Sequence, residues 1–105
     1  NGEYLSLLRD RLPRAIDAFK PDFVIYLAGV DTARGDSVGH SNLSPAGLLE
    51  RDLFVVDLVR DRKLPLCMLL DGGWEKSSWR IHYRSIRAIL ACHGGVPFRV
   101  PVSED

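Results

Sequence analysis

The sequence is poor in several residue types whose abundance would have set its class. It has two cysteines, one methionine and no excess of either charge, with 14 basic and 14 acidic side chains among 105 residues. Two cysteines 25 positions apart match neither a disulfide framework nor a CxxC metal or redox pair. Cys67 and Cys92 are therefore expected as small core residues in a reducing, intracellular setting, cytoplasm or nucleus. A net charge of zero removes the broad attraction that a nucleic-acid or anionic-membrane binder uses, so no direct nucleic-acid partner is expected. The apolar runs, such as Leu66-Cys67-Met68-Leu69-Leu70, fall far short of the roughly 20 residues that span a bilayer, and no membrane partner is expected. HExxH, P-loop, GxGxxG and zinc-finger spacings are all absent.

What remains is an ordinary globular composition, 46% hydrophobic, organised in alternating patterns. Tyr4, Leu5, Leu8, Leu12, Ala15, Ile16 and Phe19 recur at helical steps, with Pro13 expected to kink or break that helix near Leu12. Phe23 to Leu27 and Leu66 to Leu70 are short continuous apolar runs, read as strands buried on both faces, as in parallel sheets. Ser44-Pro45 opens a second helix as an N-cap followed by proline, and its apolar stripe is Leu48, Leu49, Leu53, Val56 and Val59. A third helix is predicted from about Ser77 to Cys92 with Trp79, Tyr83, Ile86, Ile89 and Leu90 inward. The tail from Val96 to Val102 reads as an edge strand or an extended arm. The order helix, strand, helix, strand, helix predicts an α/β segment with a parallel sheet, treated as one unit over residues 1–105. Two strands alone leave open edges, and the chain starts at Asn1 directly in a helical pattern, so it is expected to be one end of a larger sheet.

Ligands in open α/β sheets bind outside the carboxyl ends of the strands, where this chain twice places glycine with a carboxylate. Asp31, after Ala28-Gly29-Val30, is either a metal ligand or a turn residue closing the long polar loop that follows. Gly72-Gly73 either bring backbone N–H groups to a substrate oxygen or simply let the chain leave the strand. His40 is a candidate base or an exposed loop histidine, and His82 a partly buried helix residue or a ligand. Lys76, Arg80, Arg84 and Arg87 line one side of the third helix, as a solvated face or an anion contact. Trp74 stands where a strand-end side chain faces a pocket.

Taken together, Lys20-Pro21-Asp22-Phe23-Val24-Ile25-Tyr26-Leu27-Ala28-Gly29-Val30-Asp31, Gly35-Asp36-Ser37-Val38-Gly39, Leu43-Ser44-Pro45-Ala46-Gly47-Leu48 and the strand ending in Gly72-Gly73 resemble the C-terminal part of the histone deacetylase family. The similarity is greatest to class IV members and acetoin-utilisation proteins, and it covers roughly residues 4–90. It implies an arginase/deacetylase-like, three-layer α/β/α domain and a zinc-dependent hydrolase acting on an acetylated protein or a small amide. By the same resemblance Asp31 is the last of three protein zinc ligands, Val38 lines the acyl-lysine tunnel, His40 stands near its mouth, and Gly72 and Gly73 form its floor. Trp74 replaces the family tyrosine whose hydroxyl meets the scissile amide oxygen, so an altered or lost activity is implied. The paired histidines and the Asp-x-His motif of the family are absent from these 105 residues, and the chain alone is not expected to be catalytic. The alternative is a non-catalytic module that pairs, as a homodimer or with another chain, through an exposed sheet edge.

Overall fold

A computed structural model of the chain describes residues 2–30, 43–72 and 76–93. The elements run α1 (Gly2–Phe19), β1 (Val24–Gly29), α2 (Pro45–Asp61), β2 (Leu66–Asp71) and α3 (Ser78–His93), in the expected order. The two strands pair in parallel from Val24 opposite Leu66 to Gly29 opposite Asp71. The tail from Val96 to Val102 lies outside the described residues.

Local chemistry explains where α2 begins and ends. Ser44 is extended at its N-cap and its Oγ accepts from the Gly47 N–H at 3.0 Å, with Pro45 occupying a position whose N–H would have had no partner. The helix stops at Lys63, which adopts the left-handed conformation (φ 55°), while the Leu64 N–H reaches back to the Val59 carbonyl at 3.2 Å. Lys20 closes α1 in the same way at φ 53°. Pro13 does not break α1, which continues through it for 18 residues. Two side-chain bridges tie α1 to α2, Arg9 to Glu50 and Arg62 to Asp17, the latter through two N–H donors at 2.7 and 3.0 Å. The Arg62 bond holds the Asp17 carboxyl below its usual range.

The core lies along α2, where Leu48, Val55, Val56, Leu58 and Val59 are buried together with Ala28 and Val30 from the end of β1. Leu43 and Leu48 form a cluster against which Ile81 of α3 packs. Burial along β1 alternates: Ala28 is fully buried, while Ile25 and Leu27 on the opposite face are 61% and 60% exposed. Leu69, paired with Leu27, is exposed on that open face as well. The expectation that both faces are covered therefore fails on the Ile25–Leu27 face, and on the Tyr26 side, where α2 and α3 pack, it fails at Leu70, which is 55% exposed.

The third helix is turned relative to the expected orientation. Ser85 is fully buried and Ile81, His82, Ala88 and Ile89 are half-buried, whereas Trp79 is 60% exposed and Tyr83, Ile86 and Leu90 lie at the surface. The α2–α3 interface admits small Ser85, and a ring of tryptophan size at that position would hold the helices apart. Cys92 is exposed rather than a core residue, and Cys67 is half-buried. Lys76, Arg80 and Arg84 are exposed, in agreement with a solvated face, whereas Arg87 is half-buried, and Arg80 lies over the Trp79 ring at 5.5 Å.

Candidate functional site

The two strand ends meet at one place. Gly29 lies opposite Asp71, and the Val30 N–H extends the ladder by one bond to the Asp71 carbonyl at 3.1 Å. Fully buried Ala28 and Val30 anchor the end of β1 in the core. Gly72 follows β2 at φ 63°, in the left-handed region that favours glycine.

A buried polar group supports this end of the sheet. Arg51 is 5% and Asp52 0% exposed, both on α2. The Arg51 guanidinium donates through Nε to Asp52 Oδ1 at 3.0 Å, and through Nη1 to the Gly29 carbonyl at 2.7 Å. Tyr26 of β1 donates its hydroxyl to the same Asp52 oxygen, and Arg51 sits 5.9 Å from the centre of the Tyr26 ring. Burial, reinforced by the Asp52 acceptor, pushes the Tyr26 hydroxyl well above its ordinary pKa. Burial alone would weaken the charge of Arg51, but Asp52 and Tyr26 outweigh it and hold the guanidinium firmly protonated. On α3, burial lowers the pKa of His82 against an opposing pull from Asp52, so the imidazole is held neutral. Among the described residues Asp52 Oδ2, His82 Nδ1 and Ser85 Oγ are buried without hydrogen-bond partners.

Sequence reasoning passed over Arg51 and Asp52. The signal was present, because Asp52 falls at the helical step between Leu48 and Val56 and so occupies a stripe position that an apolar residue would be expected to fill. A carboxylate there needs a compensating cation, and Arg51 is adjacent.

These features agree with what comparison with known proteins finds. The histone deacetylase domain matches residues 1–90. The chain belongs to the histone deacetylase family. It is similar to histone deacetylase 2 of Arabidopsis thaliana, 43% identical over 84 residues that make up 80% of this chain and 22% of that protein. An uncharacterized protein of Picosynechococcus is 33% identical over 77% of this chain and 27% of its own length. Among solved structures, the crystal structure of the HDA15 HD domain superimposes with a TM-score of 0.65 at 29% identity, covering 90% of this chain and 26% of that one. This deacetylase-family segment thus spans about a quarter of the length of these three proteins, and its α/β architecture with a parallel strand pair is that of the family domain.

Of the residues to which the family resemblance assigns roles, Gly72 is the one the described structure includes. Asp31, Val38, His40, Gly73 and Trp74 lie outside the described residues. No three His, Cys, Asp or Glu side chains gather into a metal-holding group among the described residues, so the donors described here do not by themselves fit a zinc ion. No helix among them is long and apolar enough to cross a membrane.

Proposed function

We propose that this segment is the C-terminal part of a zinc-dependent amide hydrolase of nuclear or cytoplasmic location, acting on acetyl-lysine in proteins or on a related small amide. The observation that supports the reading is the alignment of the strand ends, Gly29 opposite Asp71, in a chain of this family. Asp31 follows the first strand end and Gly72, Gly73 and Trp74 the second, so the residues assigned to metal, tunnel floor and oxyanion contact leave adjacent strands. Asp31 supplies one ligand of the three a catalytic zinc requires, and the other two belong to sequence that these 105 residues do not contain. Val38 and His40 are the tunnel contacts in this reading, and Trp74 replaces a hydroxyl donor with an indole N–H of different reach.

The test uses the longer protein that this reading requires. Asp31→Asn is expected to abolish zinc retention, measured as metal per protein after gel filtration, and retention at the parent level would refute the assignment. Trp74→Tyr is expected to raise acetyl-lysine peptide hydrolysis by about 10²- to 10³-fold, the scale of one oxyanion donor. An unchanged or lower rate would count against the lost-donor account. The 105-residue chain by itself is expected to hydrolyse nothing.

A second reading, a non-catalytic interaction or dimerisation module pairing through an exposed sheet edge, is favoured by the outer edges of the two-stranded sheet, which no strand pairs among the described residues. Sedimentation of the chain separates the two: a dimer supports the module, and a stable monomer removes it.

A further inference from the structure

We infer that Arg51 is a positioning residue that fixes the direction in which the backbone leaves β1 at Gly29, two residues before Asp31. The inference follows from where the strand's hydrogen-bonding groups point. Val24 and Val30 both donate toward β2, to the Pro65 carbonyl at 3.0 Å and the Asp71 carbonyl at 3.1 Å. N–H and C=O groups of successive residues alternate between the two sides of a strand, so the Gly29 carbonyl is aimed at the other edge of β1, where no strand pairs with it among the described residues. An unpaired carbonyl beside fully buried Ala28 and Val30 is costly, and Arg51 Nη1 fills that place at 2.7 Å.

The clamp is itself held. Asp52 fixes the guanidinium plane through Nε, and Tyr26, three residues before Gly29 on the same strand, fixes Asp52. A closed circuit therefore runs from β1 through Tyr26, Asp52 and Arg51 back to β1 at Gly29. Only a planar fork can donate to Asp52 and to the Gly29 carbonyl at once. A lysine ammonium on a flexible stem has neither the spread nor the fixed angle. The consequence for Asp31 as a metal ligand rests on the function proposed above, whereas the clamp does not.

Amide exchange in the full 105-residue chain tests the clamp, with Val24 and Val30 as opposite ends of one ladder. Arg51→Lys is expected to speed exchange of the Val30 N–H by about tenfold or more, the worth of a hydrogen bond from a charged donor, and to leave Val24 unchanged. An equal change at both ends means loss of general stability, and no change means no clamp; either result overturns the inference. Where the variant does not fold, the parent chain decides. A held guanidinium gives separate, slowly exchanging Arg51 Nη–H resonances, and a single averaged signal overturns the inference. If Asp31→Asn leaves zinc retention unaltered, the metal reading of Asp31 fails while the Val30 result stands on its own.

Discussion

Removing Asp52 should be among the most damaging single changes in this chain. Asp52 is fully buried, accepts from Tyr26 and pairs with an Arg51 side chain that is 6% exposed. In Asp52→Ala the guanidinium stays buried with its charge uncompensated, and breaking such a pair costs about 3–5 kcal/mol. Against a total of about 5–15 kcal/mol for a domain, that removes roughly a fifth of the stability or more. With a urea slope of about 1–3 kcal/mol/M, the unfolding midpoint should drop on the order of 2 M. The assay is urea unfolding followed by far-ultraviolet circular dichroism. A triple change, Tyr26→Phe with Arg51→Met and Asp52→Leu, removes both charges and the hydroxyl that would lose its acceptor. It should therefore recover most of what Asp52→Ala loses. The reasoning is refuted if Asp52→Ala costs less than about 1 kcal/mol, or if the triple change is as damaging as the single one. The triple variant should also regain stability without regaining slow exchange at Val30, because its Gly29 carbonyl has lost the Arg51 donor.

Four further outcomes follow from local geometry. Ser44→Ala removes the acceptor of the Gly47 N–H and should cost about 1 kcal/mol in the same unfolding assay. Leu48→Ala, at a fully buried position packed with Leu43 and Ile81, should cost about 2–5 kcal/mol. Lys63→Gly, at φ 55°, relieves a left-handed strain of about 1–2 kcal/mol and should give a net gain smaller than that, since glycine also loosens the unfolded chain. His82 has its pKa lowered in the folded state by burial, so the unfolded chain takes up the proton more readily. Its contribution is fully present above the ordinary histidine value of about 6.5 and is lost as pH falls through the lower folded value. His82→Gln should flatten the decline of stability over that interval, and an identical pH profile would refute the assignment.

The elements were legible in the sequence because each carries its own local signal. Ser44-Pro45 marks the start of α2 within a residue, and the two apolar runs give β1 and β2 within two residues. The facing of α3 was not legible, because Trp79, Tyr83, Ile86 and Leu90 make a second apolar stripe beside Ile81, Ser85 and Ile89. Periodicity alone cannot say which stripe meets α2 when the one containing a serine fits more closely. The end of α2 carries no glycine to mark it, and Lys63 takes the left-handed position itself. For the site, spacing identified where the strands deliver their residues, and the family pattern assigned roles. The Arg51–Asp52 pair escaped because composition reads adjacent charges in a helix as surface, and only burial shows otherwise.

The parallel ladder also governs the order of events in folding. Every rung from Val24–Leu66 to Gly29–Asp71 joins residues separated by all of α2, so no part of the sheet can form from neighbouring chain alone. The ladder must wait until α2 has folded and closed the intervening loop, which makes strand pairing a late step. During that interval Ile25, Leu27 and Leu69 are free to meet other chains, and dilution during refolding should raise the yield of native chain more than cooling does.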